Sequence, residues 1–180
     1  LVAWSSDEKG SELFTLRVSD LSKGHDLDDE MIETSGGAVW AADGMSLFYV
    51  RMDNHHRPHC VMLHKLGTPQ ADDVAIYTEN DPGWFVDISR TQSRRFCVIE
   101  LYDHASAEAR LIDLENISAE PRLVCARENS VRYDVSHHGD RLIIRTNADG
   151  AEDFKLVTAP LNTPGLWEDF IPHHRGRMII

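Results

Sequence analysis

Apolar runs centred on Val39, Val86 and Tyr133 follow one another at steps of 47 residues. A fixed period of this size constrains a fold more than any single motif, because each repeat must bury its faces against copies of itself. The clearest copy is Val39–Val50, two short apolar runs joined at Asp43-Gly44. An Asp-Gly between such runs is a strong hairpin signal, since glycine accepts positive φ without a Cβ clash. Second strands are expected at Leu47–Val50, Phe96–Ile99 and Leu142–Ile144, and third strands at Cys60–Leu63, Ala109–Ile112 and Phe154–Val157. Fourth strands centre on Ile76, Leu123 and Phe170, again 47 apart.

Turn residues fall between these runs. Ser93-Arg94 and His138-Gly139-Asp140 match Asp43-Gly44, and Gly67-Thr68-Pro69 and Asn162-Thr163-Pro164-Gly165 separate third from fourth strands. Ser35-Gly36-Gly37 and Asp81-Pro82-Gly83 are expected as turns into the next repeat. Leu1–Trp4, Leu13–Val18 and Met31–Thr34 fit strands two to four of a unit whose first strand lies upstream. Met178–Ile180 resembles the start of a further strand, so the chain is expected to be part of a longer protein.

Four short antiparallel strands per 40–50 residues define a β-propeller blade. The second strands are almost continuously apolar, as strands covered on both faces are. A β-sandwich gives no reason for a constant four-strand period. The expected fold is all-β: a partial β-propeller of about four blades, one incomplete, built of four-stranded antiparallel sheets. The boundaries are an incomplete blade over 1–37, blades over 38–83, 84–130 and 131–177, and the start of another at 178–180.

Chemistry is sparse. There is no G-x-S-x-G turn, so the serines, histidines and aspartates form no recognisable triad, and no catalytic residue is assigned. His55, His56, His59 and His64 cluster, but Pro58 argues against the helix that would align them on a metal; Asn54–Pro58 reads as a polar hairpin loop. Asn147–Asp153 resembles the opening of a calcium loop but has Thr158 where the distal Glu belongs, and reads as a bend. The acidic run Asp26–Glu30 reads as a solvated loop. Neither a metal nor a cofactor is expected. Cys60, Cys97 and Cys125 are odd in number and dispersed, which suggests neither disulfides nor zinc.

With 30 acidic against 18 basic residues the net charge is −12, which argues against a nucleic-acid partner. No run is long enough for a membrane span and no signal-peptide pattern occurs. Asp87 and Asp134 lie one repeat apart in inner strands, the strands that line a propeller's channel. They are the candidate substrate-channel residues, expected to make that channel electronegative.

Trp40-Ala-Ala-Asp43…Leu47-Phe-Tyr-Val-Arg51 and His56-Arg57-Pro58…His64-Lys-Leu-Gly67-Thr68-Pro69 are followed, in the same order, by Glu79–Val86, Ser89–Phe96 and Thr146–Lys155. This series resembles the propeller of the prolyl oligopeptidase family of serine peptidases, in its oligopeptidase B (protease II) branch, along the whole chain. The resemblance implies a parent enzyme in which a seven-bladed propeller caps an α/β-hydrolase catalytic domain that holds the triad. It implies hydrolysis of short cationic peptides after Arg or Lys, with the propeller excluding folded proteins. A cytoplasmic location is expected. The isolated segment is expected to be inactive and to self-associate through its open edges. The alternative class is a stand-alone propeller acting as a ligand-binding or protein-interaction scaffold.

Overall fold

Asp43 shows how the local sequence shapes each hairpin. Its Oδ1 accepts the backbone N–H groups of Met45 (2.8 Å) and Ser46 (2.9 Å), and its Oδ2 accepts the Ser46 hydroxyl (2.8 Å). Gly44 supplies the positive φ of 64° that closes the turn. The same carboxylate-to-backbone device recurs at Asp53, Asp81, Asp103 and Asp113. Much of the acidic surplus is therefore spent on turns.

The computed structural model covers residues 1–180 and contains fourteen strands and no α-helix. They are β1 (Val2–Ser6), β2 (Phe14–Asp20), β3 (His25–Trp40), β4 (Ser46–Met52), β5 (Pro58–Lys65), β6 (Val74–Thr78) and β7 (Phe85–Arg90). The series continues with β8 (Phe96–Tyr102), β9 (Ala107–Asp113), β10 (Arg122–Cys125), β11 (Tyr133–His138), β12 (Arg141–Thr146), β13 (Lys155–Pro160) and β14 (Glu168–Ile171). Every strand pairs antiparallel with its sequence neighbour, in sheets β1–β6, β7–β10 and β11–β14. The architecture is the expected partial propeller.

The core lies between blades. Phe48 and Val50 join Val86, Ile99 and Ile112 in one cluster, whereas Leu47 and Tyr49 join Leu16, Val18 and Met31 in another. Alternate residues of β4 thus face opposite neighbours, which explains its unbroken apolar character. Strand β8 repeats the arrangement: Cys97 and Ile99 face the second blade, and Phe96 and Val98 face Leu142 and Ile144 of the fourth.

Three local expectations are corrected. Residues 35–37 are not a turn: β3 runs through them as one strand of 16 residues that closes the first blade and opens the second. A register shift between Thr34 and Ala38 absorbs the change of direction. Gly36, at φ 92°, allows it, because a Cβ there would lie 2.9 Å from Cγ of the Phe14 ring. The acidic run Asp26–Glu30 is not a solvated loop but belongs to β3, and Asp29 is buried. The expected third strand at Phe154–Val157 also starts later, at Lys155, with Phe154 at a positive φ of 62°.

Candidate functional site

Inner strand β7 buries Val86 and Ile88 against the second blade, so the alternation of a strand leaves Asp87 facing the other way, exposed. Its Oδ1 accepts the N–H of Ile88 (2.8 Å). Across the ladder it meets Glu100 of β8, and Ser89, two residues on, donates its hydroxyl to Glu100 Oε1. Although Glu100 lies at the surface, partial desolvation beside its neighbours pushes its carboxyl up. The Ser89 hydrogen bond works against this, and the negative charges of Asp87 and Asp134 add to the rise. The Tyr102 phenol is raised as well, by desolvation and then by Asp87 and Glu100.

Asp134 occupies the equivalent place in β11 and is also exposed. Its cross-strand partner is Arg145, whose Nε and Nη2 lie 2.8 and 2.6 Å from Asp134 Oδ2. The Arg145 guanidinium also stacks over Phe154 at 4.8 Å, and its Nη1 donates to the carbonyl of Ile179 (3.3 Å). The two candidate channel residues are therefore unlike: one faces a like charge, the other is paired. Between the third and fourth blades lies a cleft of about 180 Å³ lined by Glu100, Tyr102, Tyr133, Asp134, Arg145 and Phe154. It presents carboxylate, phenol and aromatic faces, but Arg132 and Arg145 line it too, and Arg145 already takes the Asp134 carboxylate and the Phe154 face.

The other polar motifs are used internally. Asn54–Pro58 is the expected hairpin loop, with Asp53 accepting the N–H groups of His55 (2.8 Å) and Arg57 (3.0 Å). Burial raises the Asp53 carboxyl, but these bonds and the Arg57 side chain outweigh it and bring it down to about 2. His64 stands apart from the other histidines, fully buried in β5. In the calcium-like stretch, Asp149 binds Lys155 Nζ (2.9 Å), which also binds Asp169 (2.8 Å). Asp153 instead holds Gly176 and Ile179.

Sequence reasoning missed Glu100, Arg145 and the rim network around Arg127. Counting outward from the turn that pairs Arg90 with Cys97 brings Glu100 opposite Asp87, a signal that was present. Arg127 had none. It joins Glu79 (2.6 Å) and Glu108 (3.3 Å), both buried, and lies 3.8 Å above the Trp84 ring. Arg57 ties the same corner by donating to the carbonyls of Asp81 (2.7 Å) and Trp84 (3.0 Å). No helix is long and apolar enough to cross a membrane.

With this geometry in place, the likeness to known proteins is informative. The prolyl oligopeptidase N-terminal β-propeller domain matches residues 1–180. The chain is 35% identical to dipeptidyl aminopeptidase BI of Pseudoxanthomonas mexicana, covering 96% of this chain and 24% of that protein. It is 31% identical to protease 2 of Moraxella lacunata, covering 89% of this chain and again 24% of the relative. It therefore spans about a quarter of the length of these curated relatives. Among solved structures, oligopeptidase B from Leishmania major superposes with a TM-score of 0.91 at 33% identity over 96% of this chain and 24% of its own. Oligopeptidase B from Trypanosoma brucei, in its closed form with antipain covalently bound, gives 0.89 at 31% identity over 97% and 25%.

Proposed function

The chain belongs to the N-terminal β-propeller family of the prolyl oligopeptidases, and on that premise we propose that it is the substrate-excluding propeller of a cytoplasmic serine oligopeptidase that cuts short peptides after basic residues. The catalytic nucleophile, base and oxyanion donors belong to an α/β-hydrolase domain elsewhere in the parent protein, on which this propeller packs. The blade series divides at 1–37, 38–83, 84–130 and 131–177, with 178–180 opening the next blade.

The observation that supports the reading is a pair of equivalent carboxylates. Asp87 and Asp134 project, exposed, from successive inner strands, and Glu100 adds a charge beside Asp87. A channel lined this way raises the local concentration of cationic peptides and disfavours anionic ones. Because Arg145 compensates Asp134, most of the field comes from the third blade.

The test uses the full-length parent with Asp87→Asn and Asp134→Asn, singly and together. With a peptide carrying several basic residues, kcat/KM is expected to fall several-fold, most in Asp87→Asn, with a weaker dependence on salt. A short substrate with one basic residue should be cleaved as before. Unchanged kcat/KM on both substrates would sink the channel role. The 180-residue polypeptide alone should not turn over either substrate. It is proposed to self-associate through Val2 and Trp4 of the first blade and Phe170 and Ile171 of the fourth, all exposed; a clean monomer by light scattering would count against that.

The resemblance to a dipeptidyl aminopeptidase supports a second reading, in which the parent removes dipeptides from free N-termini. Matched peptides with free and acetylated N-termini separate the two. Cleavage of the acetylated peptide supports the oligopeptidase, and its resistance supports the dipeptidyl aminopeptidase.

A further inference from the structure

Asp29 of β3, His64 of β5 and Asp73, just before β6, meet in the seam between the first and second blades. Their side chains are 4%, 0% and 0% exposed. Nδ1 of His64 lies 2.7 Å from Asp73 Oδ1, and Nε2 lies 3.0 Å from Asp29 Oδ1. Both carboxylates take a further donor. Asp29 Oδ1 also takes the N–H of Gly67 (2.5 Å), and Asp73 Oδ2 takes the hydroxyl of Tyr49 (2.8 Å). Tyr49 in turn accepts from Gln70 Nε2 (3.2 Å), and the Gln70 amide pairs with both the N–H and the carbonyl of Ile32 (3.2 and 3.0 Å). The network thus runs from the first blade through the second and back.

Both ring nitrogens of His64 thus face a carboxylate oxygen, which holds the ring between two acidic partners in a site without water's dielectric. Desolvation drives the Tyr49 phenol far up, with Gln70 opposing and Asp73 adding to the rise, so it keeps its proton and remains a donor to Asp73.

We propose that Asp29–His64–Asp73 is a conformational staple that makes the first two blades a single rigid body. The unbroken β3 hydrogen-bonds both blades into one six-stranded sheet, whereas the third and fourth blades are separate sheets. Separating the first blade from the second would break the β3 ladder and strand two buried carboxylates. The seam between the second and third blades is tied instead through the partly exposed guanidiniums of Arg57 and Arg127, which hold the buried Glu79 and Glu108. Motion of the propeller is thus directed away from the seam between the first two blades.

Hydrogen exchange on the full-length parent tests this, in the wild type and in His64→Gln, Asp73→Asn and the double variant. In the wild type, amides of β2, β3, β4 and β5 should exchange as one group. Both single variants should raise exchange in that group about tenfold or more and leave β8, β9, β12 and β13 unchanged, and the double variant should do little more than either single one. Independent exchange of the first and second blades in the wild type would overturn the proposal without any variant. So would an even rise along the whole chain, no rise at all, or fully additive effects in the double variant.

Discussion

Asp87 stands opposite Glu100 in the β7–β8 ladder, acid against acid, at the register where the next blade sets Asp134 against Arg145. The repeat keeps the inner carboxylate and changes its partner. Glu100 therefore costs the fold something when ionised, and its raised carboxyl fixes the sign. A group raised in the fold contributes stability that is present below its unfolded value, near ~4.3 for Glu, and lost as pH rises through its folded value. Relative to Glu100→Gln, the wild type should lose stability between about pH 4 and pH 7. Solvent screening limits the difference to about 0.5 kcal/mol. Thermal melts of the two proteins at both pH values give the comparison; a constant offset between them would contradict the expectation.

Arg127 closes the rim between the second and third blades through Glu79, Glu108 and Trp84. Arg127→Met should cost about 2 kcal/mol, between the values typical of exposed and buried pairs. Arg127→Lys should not restore it, because an ammonium neither stacks on Trp84 nor reaches both carboxylates. Urea unfolding of the three proteins checks the order. Recovery by lysine would assign the effect to charge alone.

Glu79 gives that rim its pH response. Burial raises its carboxyl, but Arg127, the Asp81 N–H and the Tyr77 hydroxyl outweigh it, and the net shift is downward. A depressed carboxylate contributes stability that is present above its unfolded value and lost as pH falls. Glu79→Gln should therefore be less stable than the wild type at pH 7, with the gap narrowing below about pH 4. Denaturation curves at both pH values measure the gap.

Gly36→Ala should destabilise by about 2 kcal/mol through positive φ and the clash with Phe14. In a Phe14→Ala background the added cost should drop to the backbone component, about 1 kcal/mol. A double-mutant cycle separates the two parts.

Neighbouring residues of β12 should respond differently. Leu142 is fully buried against the third blade, and Ile143, pointing the other way, is half-buried. Leu142→Ala should cost about 3 kcal/mol or more and Ile143→Ala about 1 kcal/mol. Equal costs would mean that the fourth blade's second face is covered as well as its first.

The repeat, the order of strands within it and most turns follow from the sequence alone. Their causes are local: Asp43-Gly44 makes its turn from its own neighbours, and β4 advertises two covered faces by being apolar at both parities. The equivalent positions of Asp87 and Asp134 in successive blades also followed from register within the repeat. Local composition failed where a distant partner overrode it. Asp29 sits in a run of charges that resembles solvent-facing chain, yet His64, 35 residues away, draws it into a seam. Ser35-Gly36-Gly37 has turn composition, yet β2 and β4 hold the flanking residues in one strand, with Thr34 paired to both. The surroundings of the two carboxylates also depended on what stood across the ladder, Glu100 in one blade and Arg145 in the next. A single strand's pattern tells which way a side chain points, and only the assembled sheets decide what it meets there.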